Sequence, residues 1–346
     1  MKQIITIWGG TWTFNLVSGL KKIPDVFVNT IVTMSDDGGS TWFLRDEYGI
    51  LPPGDLRRAL VALSEGKKSI FLRKLFSYRF KSGLLKGHNL GNLIMMAAED
   101  IEWDYWKALD ELEEMLWITK WKVFPATLEK TRLVAKLETG EYIIWETNID
   151  IPKHSWNEKI VDLFVVKEEY AHILKKIKEF GKEQIFEVVL EQALEDKPLH
   201  NPFLEEILEK ADYILIGPGD LYTSILPNIL VWKMQDLLKK SKAKKIYIAN
   251  LFTKFGETND FALSDFLKVF EKYLWKDFFD YIIVQDWDKV ALPEDIILQY
   301  EAENKKIVKT DINSDKIVKA NVVNLDGMIR HDKNKLAGVI SDILWN

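Results

Sequence analysis

No cysteine occurs among the 346 residues of this chain. That absence removes disulfides, thiolate metal sites and cysteine nucleophiles together, and it fits a reducing compartment. Long apolar runs are missing too. Nothing approaches the roughly eighteen apolar residues of a spanning helix, and stretches such as YILIG and YIIVQ have the length of buried strands. The opening MKQIITIWGG has neither the apolar segment nor the small-residue cleavage pattern of a signal peptide, so the expected location is the cytoplasm. There is no basic surplus. The formal net charge is -6, which argues against a general nucleic-acid coat. Histidine is sparse: His88, His154, His172, His200 and His331 are scattered and form no H-E-x-x-H, so no zinc site is expected. The G-x-S-x-G elbow, the full G-x-G-x-x-G fingerprint and the P-loop are also absent. Their absence tells against a serine hydrolase, a routine dinucleotide enzyme and a P-loop NTPase.

What is present points to a folded α/β chain. Hydrophobic residues make up 47% and charged residues 29%, a globular composition. Residues 3–8 are rich in isoleucine and read as a buried strand. A glycine turn, a short helix and a second strand at 26–34 follow, which is the opening of a βαβ unit and hence of a parallel sheet covered by helices. Helices are expected at 56–64, 71–80, 93–100 and 105–116. A hairpin turning at Thr139-Gly140 is expected within TRLVAKLETGEYIIWETNID. Further strands are expected at 186–190, 213–216, 245–249 and 281–284, with a helix at 261–273. The polar segment 35–55 reads as a long loop, a feature uncommon without a function.

Five constellations suit a ligand. Gly9-Gly10-Thr11 follows the first strand, where backbone amides hold phosphates; a plain tight turn fits equally well. Asp36, Asp37 and Gly38 follow the second strand, where carboxylates bind a divalent ion or sugar hydroxyls; the alternative is a solvated turn. In PPGDLRR, Asp55 suits a cap for a helix starting at Leu56, and Arg57 or Arg58 suits a phosphate clamp. In GHNLGN, His88, Asn89 and Asn92 suit either a base or sugar edge or a capped helix start. Gly217, Pro218, Gly219 and Asp220, with Thr223 and Ser224 behind them and Asn250 ending the next strand, form a second strand-to-helix nest. Two such nests on one chain suit a diphosphate bridging the sheet.

Taken together, these segments resemble the gluconeogenesis-factor family, bacterial proteins related to 2-phospho-L-lactate transferase. The stretches that carry the resemblance are GGTWTFNLVSGLKK, the segment from TIVTMSDDGG to LVALS, KGHNLGNLIMMA, VFPATLEKTRLVAKLETGEYI, ADYILIGPGDLYTSILPNILV, NLFTKFGETNDF and HDKNKLAGVI, in order over nearly the whole chain. The resemblance implies a Rossmann-like three-layer fold in a single domain, 1–346, with an insertion at about 120–180. It implies a nucleotide-sugar ligand such as UDP-N-acetylglucosamine, a regulatory role in cell shape and carbon metabolism, and no required cofactor. Its alternative is phospholactyl transfer from a nucleotide-activated donor to a deazaflavin, with Mg²⁺. Neither nucleic acid nor a membrane span is implied, while protein partners and homo-oligomers are allowed.

One departure from the family stands out. The resemblance implies glycine where Trp8, Trp12, Trp42, Trp117, Trp121, Trp145, Trp156 and Trp232 stand. The chain has 13 tryptophans and only 18 glycines. A source that reads UGA as glycine would account for the pattern.

Overall fold

The computed structural model describes residues 1–10, 13–66, 69–151 and 158–345; Thr11, Trp12 and Trp156 therefore lie outside the described residues. Ten principal strands are β1 (Lys2–Trp8), β2 (Val26–Val32), β3 (Trp121–Pro125), β4 (Thr131–Leu137), β5 (Tyr142–Ile144), β6 (Ile160–Lys167), β7 (Tyr213–Ile216), β8 (Lys244–Ile248), β9 (Tyr281–Gln285) and β10 (Ile317–Ala320). Seven of them form one parallel sheet in the order β10-β9-β8-β7-β1-β2-β3. From the central β1/β7 pair the chain runs outward through β2 and β3 on one side and through β8, β9 and β10 on the other. That reversal is a topological switch point, and it leaves a crevice at the carboxyl ends of β1 and β7.

Alternation along β1 divides the core into two. Ile5 and Ile7 face one layer, with Phe266, Phe270 and Leu238 from the late helices. Ile4 and Trp8 face the other, with Leu16 and Val17 of α1 (Thr13–Leu20). Helices α2 (Ser40–Tyr48), α3 (Pro53–Leu63), α4 (Ser69–Ser77), α5 (Leu90–Glu102) and α6 (Tyr105–Met115) follow. Leu60 of α3, Leu112 of α6 and Leu336 of the C-terminal helix Lys333–Trp345 fill the second layer. The architecture is thus an α/β, Rossmann-like fold.

A second, antiparallel sheet has the order β5-β4-β6. It is followed by α8 (Glu168–Glu179) and α9 (Glu183–Glu195), with the five-residue α7 (Glu146–Asp150) between β5 and β6. One face of this sheet, through Leu133 and Val165, joins the main core. The other, through Val134 and Val166, packs on Leu174, Phe186 and Leu190.

Three local expectations are corrected. Residues 186–190 are helical within α9, because Phe186, Leu190 and Ala193 recur at helical spacing and share one buried face. The segment 35–55 holds α2 instead of being one loop. Helix α3 starts at Pro53 with Pro52 as N-cap, so Asp55 lies inside its first turn. Trp8 and Trp121 are buried, whereas Trp42, Trp117 and Trp232 are about half exposed. No helix among the described residues is long and apolar enough to cross a membrane.

Candidate functional site

Two turns meet at the switch point. After β1, the Gly10 amide donates to Asp55 Oδ1 at 3.0 Å, and Arg58 Nη1 donates to the same oxygen at 2.5 Å. Asp55 therefore ties α3 to the first turn and does not cap its own helix. The approach is close: a Cβ on Gly9 would stand 2.8 Å from Asp55 Oδ2 and 2.9 Å from Thr33 Cγ2. Only glycine permits that packing.

Adjacent aspartates after β2 do different work. Asp36 accepts from the Gly38 amide at 3.2 Å and from Thr41 Oγ1 at 3.0 Å, and it faces the crevice. Burial, then the neighbouring Asp55, push its carboxyl above the usual range. Asp37 is buried. It accepts from the Glu146 and Thr147 amides at 3.1 and 2.8 Å and lies 3.5 Å from Arg132 Nη1. Asp37 thereby holds the start of α7, which carries Glu146 and Asp150 to the crevice. Arg132 and Arg45 share Glu168 at 2.6 and 3.0 Å, so the acidic loop, α2 and the small sheet are locked together.

After β7, Gly217 has φ 78° and its carbonyl carbon joins Pro218 through a cis peptide. A Cβ on Gly217 would come 2.9 Å from the Ile248 carbonyl. Asn250 Nδ2 donates to the Gly219 carbonyl at 2.9 Å and clamps the turn to the end of β8. Asp220 opens a single π-helical turn, Leu221–Ile225, without capping it through its side chain. Within that turn, the Tyr222 amide and Thr223 Oγ1 each donate to Glu257, both at 3.0 Å. Lys254 Nζ sits 2.7 Å from Asp150 Oδ1 and 3.5 Å from Asp220 Oδ2. Asp150, Asp220 and Glu257 have oxygens within 4.8 Å of one another, and Lys254 already brings a positive charge to the first two.

Carboxylates crowd this region. Burial, then Asp36, Asp37 and Asp150, raise the Glu146 carboxyl well above its ordinary value. Burial and Asp220 push Glu257 up to about 8. For Asp220, burial raises the carboxyl while Lys254 opposes the shift.

The crevice has two halves. A polar half of about 440 Å³ is walled by Gly10, Asp36, Gly38, Asp55, Arg58, Glu146, Thr223, Ser224 and Arg330. An adjoining half of about 540 Å³ is walled by Pro218, Gly219, Asn250, Phe252, Phe255, Tyr300 and His331. Asp150, Ile151, Asp220, Lys254 and Met328 border both. His331 lies on the short strand Arg330–His331, and burial brings its imidazole down to about 4, so it is neutral at pH 7.

Other sequence candidates lie behind these walls. Arg57 Nε donates to Asn92 Oδ1 at 2.8 Å and Nη1 to the Phe76 carbonyl at 3.1 Å, pinning α3 to α4 and α5. Arg58, not Arg57, reaches the crevice. Asn89 caps α5 by accepting from the Asn92 amide at 3.2 Å. His88 Nδ1 pairs with Ser40 Oγ at 3.1 Å, and its ring meets Phe43 edge-on at 5.0 Å. Residues that local motifs did not single out include Glu146, Asp150, Lys254, Phe252 and Tyr300. The FTKFGET stretch was a signal for Phe252 and Lys254; nothing in local spacing marked Glu146 or Asp150.

Fold and site together define a Rossmann-like protein with a two-part crevice at the switch point of its parallel sheet. The family model for 2-phospho-L-lactate transferase CofD matches residues 4–328, and the chain belongs to that family. A relative from Thermotoga maritima is 38% identical over 99% of each chain. The gluconeogenesis factor of Bacillus subtilis is 34% identical over 99% of this chain and 98% of its own length. A solved structure from the UPF0052 family of Bacillus halodurans has a TM-score of 0.82 and 31% identity, covering 98% of this chain and 99% of that one.

Proposed function

We propose that this chain is a cytoplasmic sugar-nucleotide-binding protein that regulates carbon metabolism and cell shape, like the gluconeogenesis factors it resembles. The observation that carries the proposal is the two-part crevice at the switch point. A sugar nucleotide divides the same way, into a planar base, a charged diphosphate and a hydroxylated sugar. The Ser224 hydroxyl suits phosphate oxygens, and Arg58 and Lys254 add positive charge. Phe252 and Tyr300 suit stacking on a base. The carboxylates suit sugar hydroxyls. UDP-N-acetylglucosamine is the ligand of choice; binding it needs no transfer chemistry and no cofactor. Protein partners and self-association are compatible with this role.

The surplus of carboxylates over cations in the polar half favours one second reading, phospholactyl transfer to a deazaflavin. Asp36 and Asp55, which both wall that half, would offer carboxylate oxygens to Mg²⁺, which would offset the charge of the donor phosphates. Glu146, with its raised carboxyl, is the group suited to take the proton of an acceptor hydroxyl. Calorimetric titration with UDP-N-acetylglucosamine, with and without Mg²⁺, separates the two. Saturable binding supports the regulatory protein. Failure to bind any UDP-sugar, with turnover of phospholactyl donor and deazaflavin, reverses the assignment.

A further inference from the structure

Left-handed backbone is uncommon outside glycine because Cβ then crowds the neighbouring carbonyl, and for a bulky side chain it is an outlier. Among the described residues, eight non-glycine positions adopt positive φ: Asp25, Trp103, Trp117, Trp145, Lys233, Asp260, Asp277 and Asn304. Four of these are aspartate or asparagine, the types that tolerate this region. Three are tryptophan, although tryptophan supplies only 13 of 346 residues. Phenylalanine and tyrosine, 29 residues between them (18 and 11), contribute none to this set.

Each of the three stands where a glycine solves a local backbone problem. Trp103 ends α5 at φ 54°, ψ 13°, and its amide donates to the Glu99 carbonyl at 3.1 Å. That is the left-handed position after a helix where glycine is the usual residue, and the Trp103 side chain is 90% exposed there. Trp117 follows α6 at φ 60°, with its amide on the Glu114 carbonyl at 2.9 Å. Trp145 precedes α7 at φ 85°, ψ 136°, close to a conformation reserved almost entirely for glycine. By contrast Trp8 and Trp121 lie in regular strands, with Nε1 donating to Thr6 Oγ1 at 3.2 Å and Glu65 Oε1 at 3.0 Å.

We infer that the protein made in its own cell carries glycine at 103, 117 and 145, a codon read there as glycine being written in this sequence as tryptophan. One reassigned codon, UGA, accounts for a single residue type recurring at left-handed positions. The consequence reaches the crevice. Residue 145 introduces α7, whose first amides are held by Asp37 and which brings Glu146 and Asp150 to the polar wall. The Trp145 ring lies 4.4 Å from the Arg132 guanidinium and 5.0 Å from the His172 ring. Glycine at 145 removes that ring and leaves Arg132 to its carboxylate partners alone. The inference is independent of which ligand the crevice takes.

The test has two arms. Peptide mass spectrometry of the protein from its native source, with the gene read at the three codons, is expected to show glycine and UGA. Tryptophan-containing peptides, or UGG codons, overturn the inference. In the second arm the W103G/W117G/W145G variant is compared with the tryptophan form by thermal melting. Relief of backbone strain is expected to raise the midpoint by about 2–5 °C. Trp106→Gly serves as the control, because Trp106 sits within α6 and packs on Phe203 at 4.7 Å between ring centroids; it is expected to lower the midpoint. A triple variant that melts below the tryptophan form overturns the inference, since its backbone ground is then gone.

Discussion

Residues 87–92 and 217–220 are both glycine-flanked and both carry polar side chains of the kind that meets ligands. In the first segment those side chains turn inward. Asn89 caps α5, Asn92 holds Arg57 and His88 holds Ser40. In the second, the turn lies at the carboxyl end of β7, beside the switch point, and Pro218, Gly219 and Asp220 wall the crevice. The difference lies in what surrounds each turn. A buried helix start leaves amides that need partners, and nearby polar side chains satisfy them. A turn beyond a parallel strand at the switch point stands at the mouth of the sheet, so its residues wall a crevice and do not cap a buried helix.

Five measurements break or sharpen this comparison. Arg57→Ala leaves buried acceptors on Asn92 and Phe76 without their donor and should cost about 3 kcal/mol in chemical denaturation. Affinity of the remaining folded protein for a sugar nucleotide should be unchanged; a stable variant that loses the ligand would place Arg57 on the ligand side. A similar loss is expected on acidification. The His331 imidazole falls from an ordinary 6.5 to about 4 through burial, so the unfolded chain takes up the proton first. The stability this group contributes is present above about pH 6.5 and is lost towards pH 4, roughly 3 kcal/mol in all. Melting of His331→Asn across that window should be flatter than that of the parent.

Glu257 has the opposite sign. Its carboxyl is raised to about 8, so its contribution is present below about pH 4.5 and lost as pH rises through 8. Glu257→Gln should reduce the fall in stability on the alkaline side. On the ligand side, Lys254→Ala should weaken sugar-nucleotide binding about tenfold, about 1.4 kcal/mol, measured by titration. The smallest effect belongs to the inward segment. His88→Ala loses one hydrogen bond to Ser40 and should change affinity less than about twofold, with up to about 1 kcal/mol in stability. A large loss of ligand there would erase the distinction between the two segments.

Much of the fold was legible locally. The isoleucine-rich β1, the glycine turn and the second strand announced a parallel sheet, and Thr139-Gly140 announced the β4–β5 hairpin. Residues 186–190 misled because a short apolar run has no clear period by itself; the stripe appears only when Ala193 is included. In the site, the glycine turns and Asp36 were legible by position after strands. The choice between Asp36 and Asp37, or between Arg57 and Arg58, was not. Neighbours in sequence point in different directions, and those directions depend on where α3, α5 and α7 pack.

By itself the sequence determined the element types, the parallel sheet and the presence of two strand-end turns, because hydrophobic period and glycine placement are local properties. It also carried the excess of tryptophan. Only the tertiary structure decided which polar groups face the crevice, since Glu146, Asp150 and Lys254 arrive from segments far apart in the chain. The tertiary structure also showed that three tryptophans occupy left-handed backbone. Side-chain partners and φ are set by packing among distant elements, and no local pattern encodes them.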